Sequence, residues 1–181
     1  MGDIQVKNIN VIFGKRKKEA LKLLNQGESK PNILKKTGCT VGVNDASFEI
    51  KEGEIFVVMG LSGSGKSTLL RCFNRLINPT SGSIILDGTD IVQSNELELR
   101  GIRRKKMTMV FQHFGLLPHR TVSSNVAFGL EIQGIDKKER DEKAKETIDL
   151  VGLKGYEEQK VSELSGGMQQ RVGLARGLAN S

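Results

Sequence analysis

Gly60-Leu61-Ser62-Gly63-Ser64-Gly65-Lys66-Ser67 fills every fixed position of the pattern GxxxxGK[ST], and the residues on either side decide what the match means. Before it stands Ile55-Phe56-Val57-Val58-Met59, a continuous apolar and largely β-branched run that predicts a strand buried on both faces of a parallel sheet. After it, residues 67–78 carry Leu69, Leu70, Phe73, Leu76 and Ile77 at helical spacing. Between a strand and a helix, such a motif is a phosphate loop. Its glycines let the backbone wrap an anion, while successive N–H groups and the amino end of the helix point at the anionic oxygens. Lys66 then supplies a point charge to β- and γ-phosphates, and the Ser67 hydroxyl a ligand for Mg²⁺. The alternative, an incidental lysine in a glycine-rich turn, is disfavoured by the two flanks.

Working outward, the alternation over 43–50 predicts a half-exposed strand, and 51–54, with Gly53, a turn. Residues 15–36 are strongly basic, with Ala20, Leu21, Leu23, Leu24, Ile33 and Leu34 on an apolar face. One or two short amphipathic helices fit, with Pro31 in the first turn of the second. Downstream, 83–86 with Asp87-Gly88 predicts a strand and tight turn, and 107–111 a second core strand. Residues 121–132, 136–151 and 165–179 read as three helices. In the middle one Asp136 is a cap with Glu139 three residues on, and Ala144, Ile148 and Val151 share a face.

Composition sets the bounds. The chain has 181 residues, 37% of them hydrophobic, enough to bury a core around one nucleotide-binding unit. Its formal charge of +7 suits nucleic acid, a membrane surface or a phosphate-rich ligand without choosing among them. For the basic segment a solvated face and contact with anionic lipid both remain open. Cys39 and Cys72 are too few for a disulfide framework and lack metal-ligand spacing, so both read as packing residues in a reducing compartment. His113 and His119 have no carboxylate or cysteine at ligand spacing and read as loop residues. No signal peptide or membrane-spanning run is visible, so membrane contact is expected through a partner.

A second motif lies far downstream, Leu164-Ser165-Gly166-Gly167-Met168-Gln169-Gln170. Alone it is a capped helix start, with Ser165 as the cap and two glycines that leave first-turn N–H groups uncovered, a second potential anion site. Following a phosphate loop, LSGGMQQR resembles the signature motif of the ABC ATP-binding family. The resemblance implies a P-loop NTPase fold: an α/β core with an antiparallel β portion and an inserted α-helical subdomain. It also implies a division into a basic family-specific insertion at 14–41, an ATP-binding core at 42–112, a helical subdomain at 113–164 and the signature helix at 165–181.

The resemblance assigns residues as well. ATP and Mg²⁺ are the implied cofactors. Gly60, Leu61, Ser62, Gly63, Ser64, Gly65, Lys66, Ser67 and Thr68 would hold the phosphates. Ser165, Gly166, Gly167 and Gln169 would face the γ-phosphate of an ATP on the opposite protomer. Phe111-Gln112 resembles the family's Q-loop, which makes Gln112, with Ser67, a Mg²⁺ residue. Phe13 has two readings, an aromatic stacked on adenine and a buried core residue. The stretch 114–129 resembles the helical subdomain of import ATPases, whose groove receives a permease helix; ordinary core is its other reading.

GLSGSGKSTLLRCFNRLI, IRRKKMTMVFQHFGLLPHRTV and ELSGGMQQRVGLARGLA, together with the insertion at 14–41, are similar to the ATP-binding subunits of glycine betaine, choline and carnitine importers. This implies a second ATPase copy, an integral-membrane permease, a substrate-binding protein acting through it, and a peripheral position on the cytoplasmic face of the cell membrane. Nucleic acid is not an expected partner. The family continues past Asn180-Ser181 into a strand ending in Asp-Glu and then to a switch histidine. The expectation is therefore a fragment of a longer subunit, lacking the C-terminal part of the core, with no catalytic carboxylate inside it and with uncovered apolar faces. The rivals are an importer ATPase for another solute such as an amino acid, a DNA-repair or chromosome ATPase, and a non-catalytic remnant. The second would place long coiled coils between the two motifs, and no heptad run is visible.

Overall fold

A computed structural model describes residues 2–112 and 115–180. The expectations for His113 and Phe114, and for Ser181 at the end of the 165–181 segment, lie outside the described residues. Contacts divide the chain into two units, Met1–Arg100 and Gly101–Ser181.

The first unit is built on an antiparallel sheet of β1 (Ile4–Phe13), β2 (Thr40–Ile50), β3 (Ser81–Leu86) and β4 (Thr89–Asp90), in the order β2-β1-β3-β4. β1 buries Val6, Ile9, Val11 and Ile12. Its register against β2 shifts between Val6 and Ile12 and its register against β3 between Lys7 and Asn10, and Asn8 takes a left-handed φ of 49°. The buried Asn10 amide fixes this bulge, accepting from Asp45 N at 2.8 Å and donating to Asn8 O and Ser81 Oγ at 3.1 Å each. The bulge breaks the two-residue alternation, which is why the strand is not visible in the sequence pattern.

Between β1 and β2 the basic segment folds as a hairpin of α1 (Lys17–Asn25) and α2 (Lys30–Thr37). Ser29 caps α2 by accepting from Asn32 N, Pro31 lies in its first turn, and Gly38 closes it in the left-handed region. Ala20, Ile33 and Cys39 pack with Ile12 and Val41, so the insertion has a core of its own against the sheet. At the surface Glu28 accepts from Lys36 Nζ and Asn32 Nδ2, which together hold its carboxyl near 2. β3 turns into β4 through Asp87 and Gly88, both with positive φ, as the Asp-Gly pair predicts.

α3 (Lys66–Phe73) stops five residues short of the periodic pattern. Arg75 stands at φ 50° and donates to the carbonyls of Ile91 and Ser94, which turns the chain out of the helix before Leu76. α4 (Glu96–Lys105) is not among the sequence expectations. It is opened by a reciprocal cap, Asn95 Oδ1 accepting from Glu98 N at 3.0 Å and Glu98 Oε2 from Asn95 N at 2.9 Å. Leu99 is its one fully buried residue, so its helical periodicity is weak.

The second unit packs α5 (Val122–Val126), α6 (Phe128–Gln133), α7 (Lys137–Leu150) and α8 (Gly166–Ala179) around Val126, Ile148, Leu153, Val172 and Ala175. The helix expected over 121–132 is two short ones joined at Ala127. Asp136 caps α7 by accepting from Lys138 N at 2.9 Å. Small buried residues, Gly173, Ala175, Gly177 and Ala179, let α8 lie close to its neighbours.

Two expected core strands are not formed. Residues 55–59 and 107–111 belong to no strand or helix, and Ile55, Val57 and Met59 are 90%, 66% and 85% exposed. A strand exists through ladder bonds to its neighbours, and apolar content alone does not provide them. Among the described residues no strand pairs with either run. Phe56 is the anchor of the first, its ring stacked on Phe48 of β2 at 4.6 Å.

Candidate functional site

The Gly60–Ser67 segment leads into the amino end of α3, fixed against β2. Gly65 occupies the N-cap with φ 99°. A Cβ there would lie 2.2 Å from the Gly42 carbonyl oxygen, so only glycine permits this approach of loop to strand. Gly65 has no side chain with which to cap α3, and the amides of the helix's first turn are left without a side-chain acceptor. Ser64 N donates to Leu61 O at 3.2 Å, closing the loop, while a Cβ on Gly63 (φ 78°) would meet nothing within 4 Å.

Lys66 Nζ donates to Gly60 O at 2.7 Å and Leu61 O at 2.8 Å, with Ser64 Oγ at 3.5 Å. The ammonium thus lies across the concave side of the loop, held by neutral carbonyls that a charged phosphate oxygen outcompetes. Ser62 and Ser67 are exposed and Thr68 is half-buried on the first turn. These are the features a nucleotide phosphate with Mg²⁺ requires: open N–H groups at a helix start, a nearby cation and an accessible hydroxyl for the metal. The residues present fit that group. Among the described residues no cluster of His, Cys, Asp and Glu could hold a metal ion independently.

Phe13, at the end of β1, is 42% exposed, and a Cβ on Gly42 would come within 2.7 Å of its ring and 3.5 Å of Thr68 Cγ2. The ring therefore lies beside the phosphate-loop helix in the first unit. Its exposure leaves an aromatic surface for a base, and the purely buried reading does not hold.

The second unit carries the other expected site residues. Gln112 is exposed, in a turn. The chain beyond it is fixed at Gly115 O, which accepts from Arg176 Nη1 at 2.8 Å, and at Leu117. There the fully buried Asn125 accepts from Leu117 N at 2.8 Å and donates to Leu117 O, Arg120 O and Thr121 O. This clamp was not legible in the sequence, because nothing local distinguishes Asn125 within Val122–Val126 from an exposed polar residue.

Ser165 caps α8, its Oγ accepting from Met168 N at 3.4 Å. Gly166 and Gly167 are exposed, and a Cβ on either would meet nothing within 4 Å. Packing inside the chain therefore does not explain two glycines in a first helical turn, where each costs about 0.5–1 kcal/mol relative to alanine. Gln169, placed with them by resemblance, turns its amide the other way and donates to Val161 O at 3.0 Å and Leu164 O at 3.1 Å. Arg171 fixes the helix to the end of α7 by donating to the carbonyls of Val151 and Gly152.

A family model described as ABC transporter matches residues 43–181. The chain belongs to the ABC transporter family. This ABC transporter chain is 61% identical over all 181 residues to the glycine betaine/carnitine transport ATP-binding protein GbuA of Listeria monocytogenes, of which it covers 46%. It is 58% identical to the glycine betaine transport ATP-binding protein OpuAA of Bacillus subtilis, over 98% of this chain and 42% of that one. It thus spans less than half the length of these curated relatives. Among solved structures, the dimeric post-hydrolysis state of the ATP-binding cassette MJ0796 bound to ADP and Pi matches with a TM-score of 0.79 and 32% identity, over 98% of this chain and 69% of that one. The fold is therefore that of an ABC ATPase. None of the described helices is long and apolar enough to cross a membrane.

Proposed function

We propose that this chain is the ATP-binding part of the energy-coupling subunit of an importer for betaine-type quaternary amines. The observation that carries the reading is the Gly60–Ser67 loop. It combines a glycine N-cap pressed on Gly42, a helix start without a side-chain cap and an ammonium held by two neutral carbonyls and the Ser64 hydroxyl. The choice of solute is supported by the printed names of GbuA and OpuAA.

In this reading the loop amides of 60–68 bind the α- and β-phosphates, and Lys66 exchanges its carbonyl partners for the β- and γ-phosphate oxygens. Ser67 would hold Mg²⁺, with Gln112 assigned to the metal by resemblance, and the ion would neutralise charge on the phosphates. Phe13 stacks on the adenine. Ser165, Gly166 and Gly167 present the open turn of α8 to the γ-phosphate of an ATP carried by a second copy of the chain, and Gln169 belongs to this set through the backbone it holds. The absence of any internal reason for the two glycines supports an occupant that approaches the backbone closely. ATP binding and hydrolysis by the whole subunit would power an integral-membrane permease served by a substrate-binding protein. The chain would lie peripherally on the cytoplasmic membrane face. A groove of about 380 Å³ in the second unit, lined by Arg104, Phe111, Phe128 and Ile132 among others, is the surface we assign to the permease segment.

Sedimentation of the full chain with and without ATP tests the sandwich. Association that requires ATP and is not produced by ADP supports it; a chain equally monomeric in both contradicts it. Disruption of the encoding gene tests the solute, with loss of glycine betaine uptake as the expected result and unchanged uptake as the contradicting one.

A further inference from the structure

We infer that Gln169 is a positioning residue: it acts on bound phosphate only through the backbone at the entry to α8, which it holds in place. The inference rests on the reading of Ser165–Gly167 as a phosphate-facing turn. A primary amide carries two hydrogens on nitrogen, and Gln169 Nε2 donates to two acceptors, Val161 O at 3.0 Å and Leu164 O at 3.1 Å. The reverse orientation would set Oε1 against two carbonyl oxygens, so the acceptors themselves fix which end faces the turn. What remains is the amide oxygen, an acceptor. Phosphate oxygens are acceptors too, and the side chain in this place has no hydrogen to give them.

The backbone it holds leads directly into the glycines. Leu164 and Ser165 are two consecutive extended residues, at ψ 150° and 157°, between the 3-10 turn Val161–Glu163 and α8. Val161 O accepts from Leu164 N at 3.3 Å as well as from Gln169, and Gln169 N donates to Ser165 O at 2.9 Å. One residue therefore grips the successive carbonyls of Leu164 and Ser165, the first by its side chain and the second by its main chain. Leu164 and Val161 are buried, which ties the clamp to the core of the second unit. Gly166 and Gly167 bring no side chain that could stiffen the turn, so the direction of their N–H groups depends on Gln169.

Two substitutions in the full chain separate positioning from direct contact. Gln169→Met keeps the reach and loses both donors; Gln169→Lys restores a donor. Amide hydrogen exchange without nucleotide is expected to quicken about tenfold at Leu164, Met168 and Gln169 in Gln169→Met, as loss of a net hydrogen bond implies, with Val172–Ala179 unchanged and Gln169→Lys nearer wild type. ATP-dependent self-association should weaken by about the same factor in Gln169→Met and partly recover in Gln169→Lys, while ATP affinity of the separated chain stays as in wild type. Unchanged exchange with lost self-association would mean direct contact and overturn the inference. Faster exchange with intact self-association would overturn it as well, since the held turn would then have no bearing on phosphate. A wild-type chain that never self-associates with ATP overturns the phosphate-facing reading instead, and the exchange rates still decide whether the clamp exists.

Discussion

Lys66 Nζ lies 2.7 Å from the carbonyl oxygen of Gly60, so the cation of the phosphate loop donates back to the loop that presents it. The contact keeps the ammonium in place before any phosphate arrives, using groups that water could equally satisfy. Lys66→Ala is accordingly expected to leave nucleotide-free stability within about 0.5 kcal/mol of wild type, as for surface substitutions generally. Urea denaturation checks this, and a large loss would mean that the lysine has a structural role the geometry does not show.

Gly65 behaves differently. Its Cβ would sit 2.2 Å from Gly42 O, and its φ of 99° is strained for any other residue. Gly65→Ala should cost about 1–3 kcal/mol by this strain alone. The midpoint of chemical denaturation should fall and nucleotide affinity with it, because the loop can relieve the clash only by leaving β2.

The glycines of α8 predict opposite signs for stability and function. Gly166→Ala and Gly167→Ala each add a Cβ in open space, and helix propensity should raise stability by up to about 1 kcal/mol. ATP-dependent self-association should nevertheless weaken, since the added methyl stands where the phosphate must approach. Thermal unfolding and sedimentation on the same preparations read the two effects separately.

Asn125→Ala removes a buried amide that serves four backbone groups at Leu117, Arg120 and Thr121. Leaving these unsatisfied should cost about 3 kcal/mol. Loss of protection at the Leu117 amide, followed by hydrogen exchange, would locate the damage.

Burial pushes the Cys72 thiol up to about 11. A raised folded-state value means that the neutral thiol is favoured in the fold, so its contribution is fully present below the ordinary thiol range and is lost as pH rises toward 11. At pH 9 Cys72 should alkylate at least about tenfold more slowly than a free thiol, because the thiolate is the reactive form. Rapid labelling of Cys72 in the folded chain would contradict this.

Local signals were read correctly where one short segment contains its own cause. The Pro31 helix start, the Asp87-Gly88 hairpin and the Ser165 and Asp136 caps are all decided by a few adjacent residues. What depended on distant partners was not legible. The apolar run 55–59 looks like a buried strand, yet it has no ladder among the described residues; β1 is hidden by a bulge that its own Asn10 stabilises through Asp45 N and Ser81 Oγ on the neighbouring strands. α4 announced itself only through the Asn95–Glu98 reciprocal cap, which was available in the sequence but lay outside any strong apolar period. Gln169 shows the limit at the site itself, since the motif places it beside phosphate and only the positions of two carbonyls reveal where its amide points.

The central claim is that Gly60–Ser67 binds nucleotide phosphate, and equilibrium titration of the chain with Mg-ATP tests it most directly, beside the Lys66→Ala variant. Saturable binding at one site per chain is expected, with affinity reduced at least about tenfold in the variant, as the loss of a charge-assisted contact implies. A wild-type chain that binds no ATP, or a variant that binds it equally well, would contradict the account.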